Sequence, residues 1–241
     1  MGIALTDDHR ELSRVADGFL AAQKARTAAR ELLDAPDEAR PAFWADLAGI
    51  GWLGLHIDEA HGGSGFGLPE LVVVIEALGR AVAPGPFVPT VVASAVLARC
   101  GSDEQKARLL PGLIDGSLTA GVGFGGSVSV SGGVATGDAG VVLGAGLADL
   151  LLVTAGEDVL LIDRTGDGVS VATPASLDLA RRSGRVVLDG VGADILVGAA
   201  ADALAYARAL FAAEAVGGAT DCVDTAVEYA KVREQFGRTI A

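Results

Sequence analysis

The chain of 241 residues is 51% hydrophobic, with 20% charged residues and 34 glycines, a balance that excludes a disordered tail and gives enough length for a substantial core. Its 18 Lys and Arg against 31 Asp and Glu leave a formal net charge of -13, which repels phosphate backbones and argues against a nucleic-acid partner. The two cysteines, Cys100 and Cys222, form no CxxC pair, so neither a zinc site nor a disulfide scaffold is expected and a reducing cytoplasm fits best.

The start, MGIALTDDHRELSRV, carries acidic residues and no apolar run behind a basic stretch. Neither a signal peptide nor a membrane span is expected, since Asp194, Asp202, Arg208 and Glu214 interrupt the apolar stretch near residues 190–216. Up to about residue 117 the period is helical. Leu5, Leu12, Val15, Phe19 and Leu20 give a first helix one apolar stripe. Pro41 heads a second helix bracketed by Gly49 and Gly51. After the turn EAHGGSGFGLPE, in which Gly62, Gly63, Gly65 and Gly67 supply positive φ, Pro69 opens a helix that the prolines of PGP stop. Two more follow: TVVASAVLARC, ended by Gly101, and one from a Ser102 N-cap, with Gln105 three residues on, to about Ile114.

From Thr119 to about Gly198 the period drops to two. The runs ADLLLVTA, DVLLID, GVSVAT and GRVVLDG, separated by Gly, Asp and Thr, predict an antiparallel β barrel or sandwich. The helical period returns at Ala201 and is expected to run through EYAKVREQFG. The fold class is therefore α+β in consecutive units: an N-terminal helical domain over 1–117, a middle β domain over 118–199 and the beginning of a C-terminal helical bundle over 200–241.

Several strings in this order resemble the acyl-CoA dehydrogenase family: FWADLAGIGWLGLHIDEAHGGSGFG, LVVVIEALGRAVAPGPFVPT, GSDEQKARLLPGLIDG, LADLLLV, SLDLARRSGRVVLDGV and YAKVREQFGRTI. The resemblance covers essentially the whole chain and implies FAD as cofactor and an acyl-CoA thioester as substrate. It also implies a homo- or hetero-oligomer with a related chain, and more C-terminal bundle than the residues up to Ala241 supply. The implied chemistry removes a proton next to the thioester and a hydride from the next carbon, giving a 2-enoyl-CoA. By the same resemblance Arg233 and Gln235 of the R-x-Q-F-G string reach the FAD pyrophosphate in a neighbouring subunit, for which a two-pronged guanidinium is suited. Arg208 takes the place of an arginine near the acyl-CoA tail, with an ordinary surface arginine as its equal alternative. Phe236 is expected in the core.

The departures from the family are as telling. No catalytic base can be assigned, because Ala207 stands where one branch has its glutamate and the other branch's glutamate would lie beyond this sequence. Glu214, almost two turns on, is expected to be structural or at the surface. AGVGFGGSVSVSGG and GVVLGAG stand where relatives carry T-E-P-G-A-G-S and W-I-T to hold the flavin ring. The reading is thus an FAD-dependent acyl-CoA dehydrogenase or a subunit of one, the alternative being a non-catalytic partner that completes the flavin site of a related chain. His56 and His61 have no ligand partners at metal-binding spacing, and Asp178, Arg181 and Arg182 look like a loop ion-pair group.

Overall fold

The computed structural model describes residues 5–240. The helical part begins with α1 (Asp7–Ala22), whose N-cap Thr6 accepts from the His9 amide while the His9 ring accepts from the Thr6 amide. Its buried stripe is Ala16 and Leu20 with Leu12 and Phe19 beside them, whereas Leu5 and Val15, both expected on it, are exposed. After α2 (Ala25–Glu31) comes a coil, and then α3 (Trp44–Gly49), which starts three residues later than Pro41 suggested because Pro41 opens a turn whose carbonyl accepts from the Trp44 amide. The glycine turn divides its labour. Gly62 and Gly65 have positive φ, but Gly63 lies against the Ile57 carbonyl and Gly67 is extended as an N-cap. Pro69 sits in the first turn of α4 (Leu68–Arg80), followed by α5 (Phe87–Cys100) and α6 (Asp103–Asp115); α6 carries the expected Ser102 and Gln105 capping box.

The sheet contains β1 (Ala120–Gly123), β2 (Ser127–Ser131), β3 (Val134–Leu143), β4 (Leu150–Ala155), β5 (Asp158–Asp163), β6 (Val169–Ala172), β7 (Ser183–Gly192) and β8 (Asp194–Leu196). Its order is β6-β7-β3-β1-β4-β5-β8, with β2 paired to β3. All pairs are antiparallel except β1 with β4, which run parallel in register from Ala120 opposite Leu150. The sheet is therefore mixed, where period and spacing suggested only antiparallel pairs. Its two faces bury different cores. Leu150, Leu152, Val159 and Leu161 join the helices, while Leu151, Val153, Leu160 and Ile162 meet Ala139, Val142, Val186 and Leu188 from β3 and β7 in a second core.

Helix α7 (Ala200–Val232) packs Ala203, Ala207, Leu210, Ala213 and Gly217 inward. At its crossing with α4 the backbones touch: a Cβ on Gly217 would stand 2.0 Å from the Glu76 carbonyl oxygen, and one on Gly79 would stand 2.1 Å from that of Glu214. The helix does not continue through EQFG as its composition suggested. It stops at Val232, and β9 (Glu234–Gln235) pairs with β10 (Arg238–Thr239) around a turn with Phe236 at φ 53° and Gly237 at φ 76°, the positive-φ pair of a tight hairpin. The physical reason is the turn dipeptide, which outweighs the helix formers before it.

Candidate functional site

Three regions hold the residues singled out above. The first is the middle of α7. Ala207 is buried against the helical core, and the next residue, Arg208, turns to the exposed side with no side-chain partner among the described residues. Glu214, expected to be structural or at the surface, is structural: its carboxylate is 13% exposed and forms an ion pair with Arg181, which also reaches Asp178 at 3.4 Å. The loop ion-pair group is present and extends onto α7.

The second region is the hairpin after α7. The Arg233 amide donates to the Tyr229 carbonyl at 2.9 Å and its carbonyl accepts from the Ile240 amide at 3.0 Å. The backbone is thus fixed, while the exposed guanidinium has no partner among the described residues. Gln235 donates its side-chain N–H to the Glu234 carbonyl at 2.8 Å. Phe236, expected in the core, is fully exposed at the turn, because the hairpin projects away from any apolar surface of the chain. With 1.5 Å of rise per helical residue, Arg208 and the hairpin stand about 36 Å apart. One chain does not bring them to one site.

The third region is the corner where β3 ends, α5 begins and α7 passes. Glu38, Gly85, Pro86, Val88, Pro89, Leu143, Gly144, Arg181 and Glu214 line a small cavity there. Val122 of β1 pairs with Leu143 of β3, which brings the start of AGVGFGGSVSVSGG alongside the end of β3 in GVVLGAG. GVVLGAG carries no polar side chain, and the hydroxyls of AGVGFGGSVSVSGG are those of Ser127, Ser129 and Ser131 on β2. The T-E-P-G-A-G-S and W-I-T strings are absent, and with the second go its aromatic ring and hydroxyl. Glu38 accepts from the Arg182 amide at 3.0 Å through one oxygen, and its other oxygen is buried with no partner. Burial pushes its carboxyl above the usual carboxylate range, with Asp178 adding, against the opposing pull of Arg182 and Arg181.

One further cluster was not foreseen. His56 Nε2 lies 3.1 Å from Ser94 Oγ, which also reaches the Val91 carbonyl at 3.2 Å, and the His56 Nδ1 is buried without a partner. Burial lowers the His56 pKa to about 4, so the ring is neutral. Ser94 is fully buried and no carboxylate orients the ring, so the pair lacks the third group and the access that a nucleophile needs. Among the described residues no group of three or more His, Cys, Asp or Glu could hold a metal, and no helix is long and apolar enough to cross a membrane. Sequence reasoning reached Arg181 and Arg182 but missed Glu38 and Ser94. Glu38 and its Arg182 partner are separated by 144 residues and Ser94 and His56 by 38, and no local pattern announces either pairing.

Comparison with known proteins places this geometry. The profile of the acyl-CoA dehydrogenase N-terminal domain matches residues 6–117, and that of the acyl-CoA dehydrogenase C-terminal domain matches residues 197–241. Acyl-CoA dehydrogenase FadE34 of Mycobacterium tuberculosis is 36% identical over 206 residues, covering 85% of this chain but 28% of that protein. A subunit in the structure titled Tcur3481-Tcur3483 steroid ACAD G363A variant is 31% identical with a TM-score of 0.86, covering 98% of this chain and 70% of that one. A chain in the ChsE4-ChsE5 complex from Mycobacterium tuberculosis is 27% identical with a TM-score of 0.90, covering all of this chain and 71% of that one.

Proposed function

Because the chain belongs to the acyl-CoA dehydrogenase family, we propose that it is a subunit of an FAD-dependent acyl-CoA dehydrogenase that completes the flavin site of a related chain and holds little or no flavin itself. The observation that carries this reading is the split of the cofactor-facing residues. The phosphate end is present: Arg233 offers an unpaired guanidinium on a fixed backbone, with Gln235 beside it. The ring end departs from a flavin site, since neither T-E-P-G-A-G-S nor W-I-T is present and Ala207 stands where one branch of the family has its glutamate. No redox step is therefore assigned to this chain's own residues. The roughly 36 Å between Arg208 and the hairpin supports the same division: Arg208 would meet an acyl-CoA at one site and Arg233 a pyrophosphate at another.

Two of the similar structures, Tcur3481-Tcur3483 and ChsE4-ChsE5, are of paired chains, which favours a hetero-oligomer over a homo-oligomer for this one. The unit boundaries that go with this reading are 1–117, 118–199 and 200–241, and the free Cys100 and Cys222 suit a reducing cytoplasm. The test is flavin binding. The chain purified alone should release little FAD on denaturation, and near one equivalent per chain would end the divided-site reading. In the complex with its related chain, Arg233→Ala should weaken FAD binding about ten- to a hundredfold, the worth of a charge-assisted hydrogen bond. Arg208→Ala should leave FAD affinity alone and weaken acyl-CoA binding. An unchanged FAD affinity in the Arg233 variant would return that residue to a merely solvated role.

A further inference from the structure

The coil between α2 and α3, residues 32–43, has no regular structure, yet it is fastened to a part of the chain more than 140 residues away. The Arg182 guanidinium donates to the Pro36 carbonyl at 2.6 Å and the Ala35 carbonyl at 2.7 Å, and to the Leu179 carbonyl at 3.3 Å. Its amide donates to Glu38. Four donor–acceptor contacts thus converge on one residue of the β6–β7 loop, and the coil they hold contributes Glu38 to the wall of the corner cavity. Glu38 is the weak member of this set. One of its oxygens is sealed from water with no donor, facing the glycine backbone at Gly146, where an added Cβ would stand 3.7 Å away. A carboxylate pays heavily for such a place and a neutral carboxyl pays less.

We propose that residues 32–43 form a strap closed over the corner cavity by Arg182 and Glu38, and that the strap loosens when the Glu38 carboxyl gives up its proton to solvent.

The direction follows from linkage. Glu38 is raised in the closed state, by burial first, so the closed strap binds the proton more tightly than an open strap in which Glu38 meets water. Closure is fully supported below 4.5, the ordinary glutamate value, and the support is lost as pH rises through the raised value. The surrounding charges do not reverse this. Asp178 opposes ionisation, Arg181 and Arg182 favour it, and Glu214 on α7 is taken up by Arg181. The start of α5 (Gly85, Pro86, Val88, Pro89) and the end of β3 (Leu143, Gly144) bring no charge to the cavity, and Asp34, Asp37 and Arg40 of the strap are exposed. Loosening would uncover the apolar walls Pro86, Val88, Pro89 and Leu143.

Hydrogen exchange at the Arg182 amide, the donor to Glu38, reads the strap directly. Measured on the full chain and normalised for the intrinsic pH dependence of exchange, its protection should fall severalfold from the ordinary carboxyl range to mildly alkaline buffer and then level off. Glu38→Gln, which stays neutral, should remove this dependence and be better protected than the wild type at neutral pH. Arg182→Lys, which loses the fork to Ala35 and Pro36, should lower protection at every pH while keeping the slope. A wild-type protection that is flat or rises with pH would overturn the proposal, as would a Glu38→Gln profile that follows the wild type. Should circular dichroism show either variant misfolded, the wild-type profile alone decides.

Discussion

Substituting Gly217 by alanine probes the contact that sets the angle of α7, and through it the placement of Arg208 and Arg233. The new Cβ would stand 2.0 Å from the Glu76 carbonyl oxygen and 2.9 Å from the Arg80 amide nitrogen, far inside the 3.4 Å at which ordinary contact begins. Both neighbours are backbone, so no rotamer change relieves the overlap and the two helices must part by over an ångström. Forced overpacking of this kind costs about 1–3 kcal/mol. Removing a helix-interior glycine returns up to about 1 kcal/mol. A net loss of about 1–2 kcal/mol in a chain of this size lowers Tm by roughly 2–4 °C for each kcal/mol. Gly218, one residue on, is the control. Its added Cβ would meet only the Gly79 carbonyl oxygen, at 3.6 Å, so Gly218→Ala should melt at or above the wild type. Gly79→Ala, 2.1 Å from the Glu214 oxygen, should behave like Gly217→Ala. The double variant should lose less than the two losses added, because one separation of the helices relieves both. Thermal melts of the wild type and the four variants decide the matter: a Gly217→Ala melt as high as that of Gly218→Ala would refute the close α4–α7 crossing.

Two further outcomes are expected. His56 has a folded pKa of about 4 against 6.5 unperturbed, so its neutral burial supports stability above 6.5 and that support is lost as pH falls toward 4. The total is on the order of 3 kcal/mol; urea unfolding should show it in the wild type and show much less of it in His56→Gln, and equal pH slopes would refute the assignment. The chain alone should self-associate, because Val216, Val223, Val227, Tyr229 and Val232 leave much of the second half of α7 apolar and exposed; a monodisperse monomer by light scattering at high concentration would count against this.

What could be read in the sequence was what neighbouring residues decide among themselves. The Ser102 and Gln105 capping box and the Pro69 helix start are contacts over three residues or fewer, and the structure contains both. The strands around LLLVTA and DVLLID were legible as apolar runs. Their uninterrupted character has a cause that the two-period reading passed over, namely that β4 and β5 are buried on both faces. The parallel pairing of β1 with β4 depends on which distant strand lies alongside, which no period reports. The end of α7 carried a legible signal that was outweighed: the Phe236–Gly237 turn sits behind a long run of helix formers. At the candidate site, Arg208 and Arg233 stood out through resemblance alone, since an exposed arginine on a helix has no sequence pattern of its own. Glu38 stood out through nothing, because its burial is made by residues from α5, β3 and the β6–β7 loop.

For the proposed hetero-oligomer, the register of α7 gives a test of where a partner would lie. Up to Gly217 one face of the helix is Ala203, Ala207, Leu210 and Ala213, all packed inward. Continuing that face by helical spacing gives Asp221, Asp224 and Glu228, and the first two of these reach back to the helical part, Asp221 to Arg26 at 2.8 Å and Asp224 to Arg80 at 3.9 Å. The inward face therefore turns from apolar to ionic at the point where the core beneath it ends. Val216, Val223 and Val227 share a different face, turned by roughly 100° from the first at 3.6 residues per turn. All three valines are exposed among the described residues. The helix thus keeps the side of its contacts but changes their chemistry midway, and a separate apolar stripe of Val216, Val223 and Val227 is exposed. If one partner covers Val223 and Val227 and also holds the phosphate that meets Arg233, an Arg233→Ala complex should lose flavin affinity while keeping its assembly. Val223→Asp together with Val227→Asp should lose both. If the valine variant assembles normally, the partner does not lie on this face.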